Sequence, residues 1–245
     1  GCYFAQDIDE ETYLGASRGT TYDLGLNIVT TSNWVASHLL NKYGMVAHKG
    51  NLGIDFNIFY PTIGVKQGIK IFTTYRPQAG PNDLKGWEKT LLVIIELQKF
   101  YKNIQLITFG TGEGPNIPNE ILHTHLCKPT NEQIRKAYCD STLFLFTSKH
   151  EGFGLPAAEA MACECPVVST YAQGNEDFCK HQTTCLMGTT LEELVSCCKI
   201  LINSKGIQGY YGKVGYDFVI KNYQWDDVIR KLGKYYEGIS KPPIR

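Results

Sequence analysis

The chain lacks any long apolar run: the longest, Leu91 to Ile95, lies between Lys89 and Glu96. A membrane-crossing helix needs about 20 such residues, so none is expected, and no signal peptide is read ahead of it. Neither charge is in surplus, with 24 Lys plus Arg against 24 Asp plus Glu. No overall field therefore draws nucleic acid or an anionic membrane, and a phosphate ligand must be gripped locally. Cys163-Glu-Cys165 has no second Cys/His pair at finger spacing, so no metal site is expected. The cysteines number nine, and Cys197 and Cys198 sit in an apolar helical pattern, so free thiols in a reducing cytosol are expected. There is no internal repeat and no low-complexity segment.

What is present is enough for proper cores: 245 residues, 43% hydrophobic, room for one large or two small α/β domains. The early pattern reads as strands near 2–5, 27–31 and 45–48, with a helix over 32–43 started by Ser32 and stopped by Gly44. Residues 61–68 read as a linker. Strands at 69–75, 104–109, 125–127, 143–147 and 166–170 then alternate with helices near 86–101, 131–139, 155–163 and 191–202. That alternation predicts a parallel, doubly wound sheet. In the first of these helices Trp87, Leu91, Ile94 and Ile95 define the predicted buried face. In the last helix of the chain Trp225, Val228, Ile229, Leu232, Tyr236 and Ile239 form a stripe expected to pack on the second domain or on what remains of the first.

The richest segment is Glu151-Gly-Phe-Gly-Leu-Pro-Ala-Ala-Glu159, which follows the apolar run Leu143-Phe-Leu-Phe146. Strand, Gly loop and helix in that order form the junction at which an open α/β sheet binds its ligand. Gly152 and Gly154 let backbone approach a ligand, Pro156 suits a first helical turn, and the helix amino end offers N–H groups to an anion. Glu159, one turn inside, can accept hydrogen bonds from a vicinal diol such as a ribose. Arg76 follows the strand at 69–75, and Lys85 stands beside Gly86 at the next helix start. They read either as surface charges or, given the Glu loop, as a diphosphate clamp. Gly110-Thr-Gly112-Glu-Gly114 lacks both the dinucleotide and the P-loop spacing and reads as a permissive loop near the site. Two readings stand for Gln173-Gly174-Asn175-Glu176: backbone amides reaching a sugar or phosphate, or a plain turn. His150 reads as a loop bystander. Asp7-Ile-Asp9 imitates an Asp-x-Asp metal motif but has only six residues before it.

With Arg76, Lys85-Gly86, the Gly174 turn and Gly53-Ile-Asp55, the stretch Ser148–Thr170 resembles the carboxyl-terminal half of the family-4 retaining glycosyltransferases of the GT-B fold. The resemblance spans roughly residues 45 to 235; Tyr3-Phe-Ala-Gln-Asp7 is more weakly similar to a rhamnosyltransferase branch. It implies an α/β, doubly wound, Rossmann-like donor domain over 63–222, a truncated remnant of an acceptor-side domain over 1–62, and a helix over 223–245 packing back on the remnant. It implies catalytic Arg76, Lys85 and Glu151, with the two cations on the donor diphosphate and Glu151 on the sugar. Donor-binding residues would be Glu159 on the ribose, Gly152, Phe153, Gly154 and Leu155 through their amides, and Gly110, Gly174 and Asn175. The expected partners are a nucleotide-diphosphate sugar, a glycan or lipid-linked acceptor, and a missing amino-terminal domain or partner subunit. No nucleic acid, metal or other cofactor is expected, and the expected place is the cytoplasm, free or against a membrane. Transfer would retain configuration, the departing phosphate oxygen taking the acceptor's proton. A glycoside hydrolase with Glu151 and Glu159 as acid and nucleophile is the rival enzyme reading, and it leaves Arg76 and Lys85 unexplained. A non-catalytic nucleotide-sugar-binding fragment, or one subunit of a split transferase, is the other. One departure from the family is Glu164, where Gly is usual; it must tolerate a left-handed backbone or alter the turn.

Overall fold

The computed structural model describes residues 1–8, 22, 25–62, 64, 66–76 and 83–240. Two parallel sheets organise them. The smaller pairs β1 (Cys2–Ala5), β2 (Asn27–Thr30) and β3 (Ala47–Lys49) in the order β1-β2-β3. The larger contains β4 (Ile69–Thr74), β5 (Ile104–Gly110), β6 (Leu122–Cys127), β7 (Leu143–Phe146), β8 (Val167–Ser169) and β9 (Leu186–Met187), ordered β6-β5-β4-β7-β8-β9. The helices are α1 (Asn33–Tyr43), α2 (Trp87–Gln98), α3 (Asn131–Asp140), α4 (Leu155–Ala162), α5 (Leu191–Asn203), α6 (Lys205–Asn222) and α7 (Trp225–Ser240). The fold is thus α/β with parallel sheets, as the alternation predicts.

Burial on both faces explains why the central strand is apolar throughout. Leu143 and Leu145 join Ile71, Val93, Ile94 and Leu201 in the core under α2 and α5. Phe144 and Phe146 point to the opposite face and join Phe72, Tyr138, Ala158 and Val219 under α3, α4 and α6. Each fully buried Phe or Leu contributes about 1.5–3 kcal/mol by leaving water. Ser32 caps α1, its hydroxyl accepting from Val35 N–H, and Gly44 ends the helix at φ 68°.

Three local expectations are corrected. The buried face of α2 is Thr90, Val93, Ile94 and Leu97, rotated about one residue from the predicted stripe, because the Thr90 hydroxyl meets that of Thr147 at 2.6 Å. The strand predicted at 125–127 starts at Leu122, pairing with β5 from Gln105 onward. The stripe of α7 is covered in part: Val228 is buried, and Trp225 and Leu232 lie where a Cβ on Gly53 or Gly50 would come within 2.3 and 2.9 Å of them, but Ile229, Tyr236 and Ile239 are exposed, Ile229 at 61%. Helix α6 was not anticipated, since Gly206, Gly209, Gly212 and Gly215 lower its helical propensity. Two of those glycines supply close packing instead: a Cβ on Gly212 would lie 2.5 Å from the Glu164 carbonyl oxygen and one on Gly215 3.1 Å from Met161.

The sheets meet along a polar seam. Asp177 accepts from Asn33 N–H and Asn33 Nδ2, each at 3.0 Å, and pairs with Lys49 at 2.9 Å. Its carboxylate therefore sits at the amino end of α1, where negative charge is favoured. Thr31 Oγ1 is 2.9 Å from the Gln6 carbonyl and 3.1 Å from that of Gly152. Helix α7 adds contact on the other side, with Tyr235 stacked on His48 at 3.9 Å between ring centroids.

Candidate functional site

Strand order places a crevice. β4 and β7 are adjacent, yet the chain leaves β4 for α2 on one face and leaves β7 for α4 on the other. This is the switch point of a doubly wound sheet, outside the carboxyl ends of the strands, where such folds bind ligands. The chain supplies Tyr75-Arg76 beyond β4 and Ser148–Gly154 beyond β7. Arg76 is exposed there. Lys85, at the start of α2, places its ammonium 2.6 Å from Glu151 Oε1. The Glu151 side chain is 9% exposed and that of Lys85 27%, so the carboxylate is largely shielded from water while its cation keeps an open side.

The backbone explains how this pair is positioned. Gly86 adopts φ 67°, and a Cβ there would lie 1.9 Å from the Thr147 carbonyl oxygen, so only Gly lets Lys85 come this close to β7. Thr147 Oγ1 donates to the Gly86 carbonyl at 2.8 Å. Glu151 N–H donates to Ala172 at 3.0 Å and its carbonyl accepts from Gly174 N–H at 2.9 Å. Gly152 packs against the smaller sheet, where a Cβ would lie 1.9 Å from the Gln6 carbonyl oxygen. Gly154 starts α4 at φ 91°, and no side chain caps that end.

Glu159 sits on α4 facing Tyr138, whose hydroxyl lies 2.9 Å from the Pro156 carbonyl and 3.4 Å from Glu159 Oε2. Burial pushes its carboxyl up to about 7, the hydroxyl of Tyr138 only partly opposing this. Its surroundings thus favour the neutral form more than water does.

The other predicted residues divide. Phe153 is a core side chain against Phe178 and Tyr223, leaving only its backbone to face a ligand, and Leu155 is 37% exposed. The Gly174 amide is used by Glu151. The Asn175 side chain stays inside its own turn, accepting from Ala172 N–H and donating to Ser169 Oγ and the Thr170 carbonyl. The Asn175 side chain, fully buried, thus shapes the turn and leaves only backbone for a ligand. Gly110 ends β5 with its Cα against Tyr75, where a Cβ would lie 2.2 Å from the carbonyl oxygen, so packing accounts for this glycine. Glu164 adopts φ 52°, the left-handed conformation, which decides between the two alternatives open for it.

His150 is more than a loop bystander. Its Nε2 lies 2.6 Å from Asp7 Oδ1, and its ring meets Trp34 edge-on at 4.9 Å, so it ties the Glu151 loop to the smaller sheet. Asp7, hydrogen-bonded through the same interaction, holds the imidazole above its ordinary value against the opposing effect of burial. Asp9, the second half of the Asp-x-Asp pattern, lies outside the described residues. No signal within a few residues of His150 points to Asp7, 143 positions away. Among the described residues no group of three or more His, Cys, Asp or Glu is arranged to hold a metal ion. None of the described helices is long and apolar enough to cross a membrane. All nine cysteines are free thiols.

Sheet and crevice together define a Rossmann-like α/β domain of the GT-B type. The family model described as glycosyl transferases group 1 matches residues 82–204, half of the chain, and the chain belongs to that family. It is 24% identical over 200 residues to the phosphatidylinositol N-acetylglucosaminyltransferase GPI3 subunit of Saccharomyces cerevisiae, covering 76% of this chain and 43% of that protein. It is 24% identical over 225 residues to an MMP alpha-(1->4)-mannosyltransferase of Mycolicibacterium hassiacum, covering 86% and 53%. The chain thus spans about half the length, or less, of these relatives. The solved structure of Anabaena Alr3699/HepE in complex with UDP-glucose shares the fold, with a TM-score of 0.72 at 16% identity over 86% of this chain and 64% of that one.

Proposed function

We propose that this chain is the donor-holding part of a retaining, metal-independent glycosyltransferase of family 4. The Lys85–Glu151 pair at the switch point is the observation that carries the reading. Arriving diphosphate draws Lys85 away from Glu151 and adds Arg76, each charge-assisted contact contributing about 1.5–3 kcal/mol net. Glu151, released, accepts from hydroxyls of the donor sugar. The amides at the uncapped start of α4 face the phosphate. As the bond to the anomeric carbon breaks, charge grows on the leaving diphosphate where Arg76 and Lys85 already stand, which lowers the barrier electrostatically. The acceptor hydroxyl attacks the same face, and the departing phosphate oxygen takes its proton. The cations supply the counter-charge, so no step calls for a metal. In this reading residues 63–222 form the donor domain, residues 1–62 belong to the acceptor side, and residues 223–245 join them.

Glu159 accepts from the ribose diol in its ionised form. Its raised starting value then makes nucleotide binding release a proton, so affinity climbs as pH rises towards about 7 and levels off above it. Calorimetry with UDP, GDP and dTDP in buffers of different ionisation enthalpy measures both affinity and proton release. Loss of binding in Arg76→Ala and Lys85→Ala supports the clamp. Absence of nucleotide binding, or binding indifferent to both substitutions, would sink the proposal. A second reading, a donor-binding polypeptide that works with another chain, is favoured by the yeast relative's description as a subunit. Sugar transfer by the isolated chain decides against it.

A further inference from the structure

Beside the switch point, on β5 and β6, two imidazoles meet one buried hydroxyl. His123 and His125 stand two residues apart on β6, in register with Leu106 and Thr108 of β5, so both rings lie on the face that carries the core under α2 and α5. Thr108 Oγ1 is 2.8 Å from His123 Nε2 and 2.8 Å from His125 Nδ1, and His125 Nε2 is 3.0 Å from the Gly112 carbonyl oxygen. A carbonyl only accepts, so His125 carries a proton on Nε2. With both rings neutral, one pattern satisfies every contact: the Thr108 hydroxyl donates to His125 Nδ1 and accepts from His123 Nε2–H. Thr108 is fully buried, so each of these bonds is costly to lose. Burial and the neighbouring His125 lower His123 from its ordinary value, which favours the neutral ring.

The anchored ring reaches both cations of the proposed clamp. Gly114 packs on it, where a Cβ would lie 2.9 Å from the His125 Cβ. His125 meets the Tyr75 ring at 6.1 Å and 87°, and Tyr75 meets Trp87 at 5.1 Å and 73°. Arg76 directly follows Tyr75, and Lys85 stands two residues before Trp87. We propose that His125 is a positioning residue for the donor diphosphate: its bonds to Thr108 and Gly112 fix the 110–114 loop and the Tyr75–Trp87 pair, which hold Arg76 and Lys85 where the phosphates arrive. This role rests on the donor-holding reading of the switch point, and His125 itself touches no substrate. Without its hydrogen bonds the stretches bearing the two cations must be ordered on binding, which weakens affinity.

Calorimetry of the full chain with UDP, GDP and dTDP tests the role through two substitutions. His125→Phe keeps a ring against Tyr75 and Gly114 but makes neither hydrogen bond, so affinity for the nucleotide that the unaltered chain binds should fall about tenfold. His125→Gln offers one donor and one acceptor and should stay within about twofold of the unaltered chain. Full affinity in His125→Phe, or an equal loss in His125→Gln, would overturn the positioning role and leave the donor site in place. No nucleotide binding by the unaltered chain would overturn both. Imidazole nitrogen shifts from NMR give a readout that needs no nucleotide: His123 and His125 should each carry a single proton, on Nε2. A neutral His125 with its proton on Nδ1 would overturn the role whichever way the binding experiment falls.

Discussion

The two sheets obey one rule and reach different degrees of self-sufficiency. The six-stranded sheet covers both faces with its own helices and buries two apolar cores. Among the described residues the three-stranded sheet has one small cluster, Ala5, Tyr22, Ile28, Val35 and Leu39, and draws further support across the seam from Asp177, Gly152 and α7. A parallel sheet needs cover on both faces. The smaller one therefore cannot be understood alone, and the Glu151 loop serves at once as candidate site and as its support.

That contrast can be broken hardest in the larger core. Phe144→Ala should cost about 3–5 kcal/mol, because a central, fully buried ring leaves a cavity between packed helices. The urea midpoint measures it, and an unchanged midpoint would show that this strand is not the core. Asp177→Ala should cost less, about 1–3 kcal/mol, from donors at the start of α1 left without an acceptor. Hydrogen exchange sharpens the comparison: amides of α1 should lose protection while those of β4 and β5 keep theirs. Equal loss in both would make the two sheets one cooperative unit. Glu164→Gly should gain about 1 kcal/mol by relieving a left-handed backbone, read as a higher melting temperature.

The smallest effect is a change of slope with pH. Asp7 raises the value at which His150 titrates in the folded protein, so the folded state holds that proton more tightly than the unfolded one. The stabilisation is full below the unfolded value of about 6.5 and fades as pH rises through the folded value. Asp7→Asn should flatten that dependence, and NMR titration of His150 should show a lowered midpoint. An unmoved midpoint would mean that the 2.6 Å contact does not govern this imidazole.

Much of the larger sheet was legible because its signals are local. Apolar runs bounded by turns, Ser32 and Gly44 at the ends of α1, and Gly154 and Pro156 at a helix start each depend on neighbours within a few residues. The helical face of α2 was misread by one position because hydrophobicity alone ignored a Thr–Thr hydrogen bond to another element. Helix α6 was missed because its glycines weaken helical propensity and earn their place only against Glu164 and Met161. The stripe of α7 is covered only in part, because a stripe predicts that something covers it and not how far the cover extends.

By itself the sequence determined the alternation of strand and helix, the parallel sheet that follows from it, and the strand-loop-helix frame of Glu151–Ala162. Only the tertiary structure decided that Lys85 meets Glu151, that His150 meets Asp7, that Asn175 faces inward, and that burial shifts Glu159. Local geometry is set by residues within a turn of one another. Ion pairs, desolvation and thiol contacts instead join positions from 24 to 143 residues apart, whose distances only the packed chain fixes.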